Sequence, residues 1–112
     1  MAFRRVCSLD DLWEGDMAAF EVDGREVLLV HLPGGDVRAI QAICPHQAQP
    51  LVEGELRGCV LTCRAHRWEF DVATGKSVNP EGEEVRVFPV QVENDEVWVD
   101  VAGVAPDVSF RG

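Results

Sequence analysis

Two short segments near the middle of the chain each combine one cysteine with one histidine. The first arm is Cys44-Pro45-His46, and the second arm is Cys63-Arg64-Ala65-His66. A thiolate and an imidazole on each arm can bind one shared metal centre, which would hold the two arms together in the fold. Structural zinc sites usually group cysteines on one knuckle and histidines on another. The mixed arms therefore favour a centre with two unlike metal ions.

A 2Fe-2S cluster with two histidines on one iron meets that requirement. Two ferric ions, two sulfides and two thiolates sum to zero charge, whereas four thiolates leave the oxidised cluster at minus two. Neutral histidine donates less charge than thiolate, so we expect the electron to enter at the imidazole-bound iron. We also expect the reduction potential to fall with pH once the ligand histidines deprotonate. A structural zinc site built from the same four residues is the alternative.

The sequence around the arms resembles the Rieske ferredoxins. The matching stretches are C-P-H-Q at 44–47, C-R-A-H-R-W-E-F-D at 63–71 and T-G-K-S-V-N-P at 74–80. With C-S-L-D-D-L-W-E-G at 7–15, the resemblance is greatest to the ferredoxin component of toluene and alkene monooxygenase systems. Ferredoxins of ring-hydroxylating dioxygenases are the alternative. Their second arm more often reads C-P-x-H-G, whereas Arg64 and Arg67-Trp68 occupy the corresponding positions here.

The resemblance implies one Rieske 2Fe-2S cluster and a set of site residues, none of them catalytic. Cys44 and Cys63 would bind the inner iron, and His46 and His66 would bind the outer iron. Four further residues are candidates for partner docking or for the surroundings of the cluster: Gln47, Arg67, Trp68 and Pro80. For Gln47 and Arg67 the alternative is a solvated loop position, and for Trp68 it is packing in the core. We expect His31, which lies outside both arms, to be a surface or turn residue.

The resemblance also predicts a low reduction potential. High-potential Rieske proteins of respiratory complexes add a disulfide between the cluster loops and a serine and a tyrosine that hydrogen-bond the cluster sulfurs. Here residues 47–49 and 64–67 contain no cysteine, and the chain has no tyrosine. We therefore expect a potential toward the low end of the Rieske span of roughly −150 to +300 mV.

An electron carrier is the function that the resemblance implies. The chain would take one electron at a time from a flavin-containing, NADH-dependent reductase and pass it to a diiron hydroxylase. A formal charge of -10 argues against nucleic acid and anionic membranes as partners. We expect a cytoplasmic protein, because no apolar signal or membrane-spanning stretch occurs. We also expect it to be monomeric when free. Cys7 and Cys59 are expected to be free, buried thiols, and a disulfide between them is the disfavoured alternative. A zinc-stapled structural module without redox activity is the alternative from a different class.

Short apolar runs that alternate with turn signals predict an all-β fold. We expect a single domain over residues 1–112, a Rieske-like antiparallel β sandwich with a small cluster-binding subdomain formed by two ligand loops, about 44–54 and 63–80. Predicted strands cover 3–8, 17–22, 26–31, 37–43, 59–62, 68–71, 85–92 and 96–101. A capped helical turn follows Ser8, and tight turns are expected at Asp23-Gly24 and Asn94-Asp95. Residues 71–75 form a further turn, Asn79-Pro80 a third loop beside the cluster, and residues 102–112 a tail that wraps the domain or extends from it.

Overall fold

A computed structural model of the chain describes residues 3–45, 50–64, 67–79 and 81–107. Within these ranges the fold is all-β, with two short 3₁₀ turns at Leu9–Asp11 and Leu51–Glu53. No helix in the described ranges has the length and apolar character needed to cross a membrane. The strands are β1 (Arg4–Ser8), β2 (Met17–Val22), β3 (Arg25–His31), β4 (Val37–Gln41), β5 (Glu55–Arg57), β6 (Val60–Thr62), β7 (Glu69–Asp71), β8 (Ser77–Asn79), β9 (Val87–Phe88), β10 (Val90–Glu93) and β11 (Glu96–Val99).

These strands form three antiparallel sheets, with the orders β1-β11-β10, β2-β3-β4-β9 and β5-β6-β7-β8. The sheet β2-β3-β4-β9 lies in the centre, and its two faces contribute to two separate hydrophobic cores. Leu28 and Val30 of β3 pack in one core with residues of the β5–β8 sheet. Val27 and Leu29 pack in the other core with residues of β1 and β11. Successive strand residues point to opposite faces, so a strand covered on both sides needs the continuous apolar run seen in β3.

Two hairpins form where the sequence predicts tight turns. Asp23 and Gly24 have φ of 51° and 81°, and Asn94 and Asp95 have φ of 52° and 63°. Positive φ at both central residues is typical of the two-residue hairpin turn whose twist matches the flanking strands. The turn after Ser8 is also confirmed, because its hydroxyl accepts a hydrogen bond from the Asp10 amide at 3.2 Å.

The predicted strand 85–92 was wrong as one element. Pro89 lies between β9 and β10, which belong to different sheets: β9 pairs with β4, and β10 pairs with β11. Proline has no N–H group to give to a β ladder, so the chain passes from one sheet to the next at this residue. β4 is also shorter than predicted, because it ends at Gln41, and β5 and β8 were not predicted.

The expectation that both remaining cysteines are buried was wrong for one of them. Both are free thiols, but only Cys7 is buried. Cys59 is exposed because it occupies the two-residue turn between β5 and β6, where Gly58 has φ of 59°.

Through Asp107 the predicted tail wraps the domain. The Arg25 guanidinium donates to the carbonyl oxygen of Val104 at 2.7 Å and to that of Ala105, and Arg86 Nε donates to the Pro106 carbonyl at 2.8 Å. Residues 108–112 of the predicted tail lie outside the described ranges.

Candidate metal centre

The first arm begins at the end of the central sheet. Three residues after β4, Cys44 has only 3% of its surface exposed. An antiparallel bridge joins Ile43 to Pro50, and the Leu51 amide donates to the Ala42 carbonyl at 2.8 Å. These contacts close the base of the loop that contains the first arm, so the position of Cys44 is fixed relative to the sheet.

The second arm connects β6 to β7. Cys63, immediately after β6, is 1% exposed. Its amide donates to the Trp68 carbonyl at 2.7 Å, and its carbonyl accepts from the Arg67 amide at 3.0 Å. Arg67 has φ of 58°, in the left-handed region that disfavours side chains with a Cβ atom. The tight turn from 63 to 68 therefore requires an unfavourable backbone conformation at Arg67.

The two arm cysteines pack in the same hydrophobic core cluster. Leu51, Leu61 and Phe70 in this cluster are fully buried. An ionised thiolate is costly in apolar surroundings unless it has a partner, and metal coordination supplies one. Two buried thiols on separately anchored arms suit the cysteine half of a mixed-ligand 2Fe-2S site.

Contacts between the two loops lie beside Cys63. Arg64 Nη1 lies 3.4 Å from Glu53 Oε1, with both side chains well exposed to solvent. A cavity of about 230 Å³ adjoins this pair; its walls are formed by Glu53, Gly54, Glu55, Thr62, Cys63, Arg64 and Arg67. An exposed ion pair contributes at most about 1 kcal/mol, so this pair adds little to the connection between the loops.

The structure describes only some of the predicted site residues. His46, Gln47, His66 and Pro80 lie outside the described ranges. Cys44 and Cys63 are brought into one core cluster.

The two described neighbours of the second arm have different surroundings. Arg67 is exposed. Trp68 is half-buried against the core, with its ring centroid 6.5 Å from that of Phe70. Trp68 therefore has the core packing that was its alternative interpretation. The structure also supports the expectation for His31, whose half-buried ring donates from Nδ1 to the Leu12 carbonyl at 2.8 Å.

Sequence reasoning missed Gln41, a fully buried amide at the end of β4. Its Nε2 donates to the Ile43 carbonyl at 2.7 Å, one residue before the first arm. The available signal was a polar residue at the end of an apolar strand that leads directly to a candidate ligand.

Fold and described donors together define a small β protein in which two anchored arms each place a buried cysteine in one core cluster. The chain belongs to the Rieske [2Fe-2S] domain family, whose model matches residues 2–89.

The chain is similar to ferredoxins of both monooxygenase and dioxygenase systems. The ferredoxin component of the alkene monooxygenase system of Xanthobacter autotrophicus is 45% identical over 84% of this chain and 77% of its own length. The ferredoxin of carbazole 1,9a-dioxygenase from Nocardioides aromaticivorans has a solved structure with a TM-score of 0.81; it is 35% identical over 88% of this chain and 97% of its own. A solved complex of reduced oxygenase and oxidised ferredoxin in carbazole 1,9a-dioxygenase contains a match with a TM-score of 0.79, 29% identical over 87% of this chain and 91% of its own.

The family and these relatives identify an electron carrier. The protein is a Rieske-type ferredoxin with one 2Fe-2S cluster, and it is an electron-transfer protein rather than a catalytic enzyme. The family match supports the iron-sulfur interpretation and not the zinc-stapled module.

Proposed function

We propose that Cys44 and Cys63 bind the inner iron of the cluster and that His46 and His66 bind the outer iron. The observation that carries the proposal is the burial of both cysteines, 3% and 1% exposed, in one core cluster. Each arm then adds one histidine at a short spacing, two residues after Cys44 and three after Cys63. The proposed domain spans 1–112, with cluster loops 44–54 and 63–80 and a tail at 102–112.

When bound, the cluster accepts one electron and gives it up again. The chain provides the thiolates, excludes water from the inner side and anchors both arms through backbone hydrogen bonds. The apolar surroundings of Cys44 and Cys63 disfavour added negative charge, which agrees with a potential toward the low end of the Rieske range.

The proposed partners are a flavin-containing, NADH-dependent reductase and the diiron hydroxylase of an alkene or aromatic monooxygenase system. The similarity to a ferredoxin component of an alkene monooxygenase system supports this assignment. The formal charge of -10 favours basic docking surfaces on partners and electron-transfer rates that fall with ionic strength. Exposed Arg67 belongs to the proposed docking rim with Gln47. Pro80 is proposed to lie beside the cluster, and half-buried Trp68 packs on the core next to this rim.

We also propose that the protein is located in the cytoplasm and is monomeric when it is not bound to a partner. Cys59 is exposed, and a reducing compartment would keep its thiol free.

Electron delivery tests the choice of oxygenase. Reduced protein would be mixed in a stopped-flow instrument with the diiron hydroxylase of an alkene monooxygenase system, and separately with the terminal oxygenase of a ring-hydroxylating dioxygenase. Oxidation of the cluster is followed by visible absorbance. We expect the diiron hydroxylase to oxidise it at least tenfold faster.

A dioxygenase system is the second candidate, favoured by the 35% identity to the carbazole dioxygenase ferredoxin. A reversed ratio of rates would establish it and overturn the monooxygenase assignment. Arg67→Ala should slow electron delivery to the true partner. Arg4→Ala is the matched control and should leave the rate unchanged, because Arg4 is also an exposed arginine but lies in β1, in a different sheet from the second arm.

A further inference from the structure

Gln41 is a fully buried polar residue that joins the base of the first arm to the segment around Arg86. Its Nε2 donates to the Ile43 carbonyl at 2.7 Å, and its Oε1 accepts from the Arg86 amide at 2.8 Å. The backbone amide of Gln41 also donates to the Arg86 carbonyl at 3.0 Å. Both ends of the side-chain amide thus have backbone partners.

The Ile43 partner matters because its carbonyl belongs to the peptide group that joins Ile43 to Cys44. That group is planar, so a hydrogen bond that orients the Ile43 carbonyl also orients the Cys44 amide and the position of the Cys44 Cα atom. The bridge between Ile43 and Pro50 fixes the other side of the loop base. Gln41 therefore acts on the residue immediately before the proposed ligand.

The Arg86 partner connects this position to the chain that returns from the third loop. Val85, next to Arg86, donates from its amide to the Gly75 carbonyl at 2.7 Å. The Arg86 side chain itself donates to the Pro106 carbonyl in the tail. One buried amide thus links the first arm to a segment held by both the β7–β8 turn and the tail.

We propose that Gln41 is a positioning residue that orients Cys44 by holding the Ile43-Cys44 peptide, and thereby controls the stability and electronic structure of the cluster. The proposal rests on the assignment of Cys44 as a ligand. Removing the amide takes the hydrogen-bond partner from the half-buried Ile43 carbonyl and the half-buried Arg86 N–H, so the loop base must rearrange to satisfy them.

The test compares Gln41→Met with Ile40→Met in the full-length, cluster-loaded protein. Ile40 is the adjacent residue of β4 and is also fully buried, so its replacement disturbs the core without removing the amide. Two quantities are measured: the rate at which an iron chelator captures iron, and the principal g values of the dithionite-reduced protein by electron paramagnetic resonance. Thermal unfolding of both variants gives the general loss of stability for comparison.

We expect Gln41→Met to release iron at least tenfold faster and to have shifted g values. Ile40→Met should keep the wild-type g values and lose iron only in proportion to its lower stability. Equal behaviour of the two variants would overturn the proposal, because Gln41 would then be only a core residue. If Gln41→Met does not fold, Gln41→Asn, which keeps an amide on a shorter side chain, replaces it with the same two outcomes.

Cys44→Ser separates this proposal from the ligand assignment beneath it. Loss of the wild-type spectrum in Cys44→Ser, together with unchanged g values in the Gln41 variant, would overturn only the role of Gln41. A wild-type spectrum in Cys44→Ser would overturn the ligand assignment itself.

Discussion

Gly54 packs so closely on Thr62 that a Cβ atom added at Gly54 would lie 2.1 Å from the Thr62 carbonyl oxygen. Gly54 ends the loop of the first arm, and Thr62 directly precedes Cys63. The φ angle of Gly54 is -83°, so glycine is required there by space and not by backbone conformation. The two ligand loops are therefore held together by a backbone contact that tolerates no side chain.

Gly54→Ala should separate the loops. The backbone oxygen of Thr62 cannot move out of the way like the end of a flexible side chain, so we expect a loss of about 3 kcal/mol in the free energy of unfolding. Iron content after purification should fall as well. Gly103→Ala is the control, because Gly103 has positive φ but open space around its Cβ position; it should keep a wild-type iron content. Full iron content in Gly54→Ala would show that the contact does not matter for the cluster.

Arg67→Gly should stabilise the second arm. Arg67 has φ of 58°, and the cost of this conformation for a residue with a Cβ atom is about 1–2 kcal/mol, partly offset by the greater freedom of glycine in the unfolded chain. We expect a net gain of about 0.5–1 kcal/mol in urea unfolding. Arg64→Gly, a neighbouring arginine without positive φ, is the control and should give no gain. A loss of stability in Arg67→Gly would contradict the strain at this position.

Arg25→Ala should release the tail. The guanidinium donates to two carbonyl groups, pairs with Asp107 at 3.1 Å and stacks 4.7 Å from the Phe88 ring centroid. Hydrogen bonds from a charged group contribute about 1.5–3 kcal/mol, so we expect a loss of about 2 kcal/mol. Amide hydrogen exchange over 101–107 should accelerate. The exposed pair of Arg4 with Asp23 is the reference, and Arg4→Ala should cost no more than about 0.5 kcal/mol. Unchanged exchange in Arg25→Ala would contradict the anchoring.

The two free cysteines outside the arms should differ in reactivity. Burial raises the pKa of the Cys7 thiol above its ordinary value of 9.0, and the nearby Asp11 carboxylate adds to the rise. Alkylation followed by mass spectrometry should therefore modify exposed Cys59 at least a hundredfold faster than Cys7 at neutral pH. Comparable rates would contradict the burial of Cys7.

The raised pKa of Cys7 also determines a dependence of stability on pH. At high pH the unfolded thiol loses its proton before the folded one, so the unfolded state binds fewer protons. The contribution to stability is complete below pH 9.0 and is lost as pH rises from there through the folded pKa. Cys7→Ala should be less stable overall but show a weaker alkaline decline than Cys59→Ser. An identical decline in both would contradict this account.

The spacing of the arms was enough to predict an iron-sulfur cluster, because both arms are local in sequence and the chemistry of four such donors is distinctive; the family match confirms the cluster, and its four ligands stay a prediction. The hairpin turns at Asp23-Gly24 and Asn94-Asp95 were predicted for the same reason: two residues determine each turn. The alternating runs also gave the all-β class and most of the strands.

Features that depend on distant partners were not predicted. β5 and β8 form through pairing with β6 and β7, and their own short sequences do not indicate those partners. The division of 85–92 at Pro89 depends on which sheet each half meets. The role of Gln41 depends on Arg86, far along the chain, and no local pattern reveals that contact.

The measurement that tests the central claim most directly is pulsed electron paramagnetic resonance of the dithionite-reduced protein, with iron, sulfide and zinc assayed on the same sample. We predict a rhombic signal with average g well below two and hyperfine couplings from the nitrogens of two histidines. In His66→Cys, provided that the variant retains a cluster, only one histidine nitrogen coupling should remain. A spectrum without histidine nitrogen couplings, or zinc in place of iron after anaerobic purification, would contradict the assignment of Cys44, His46, Cys63 and His66 as the ligands of a Rieske cluster.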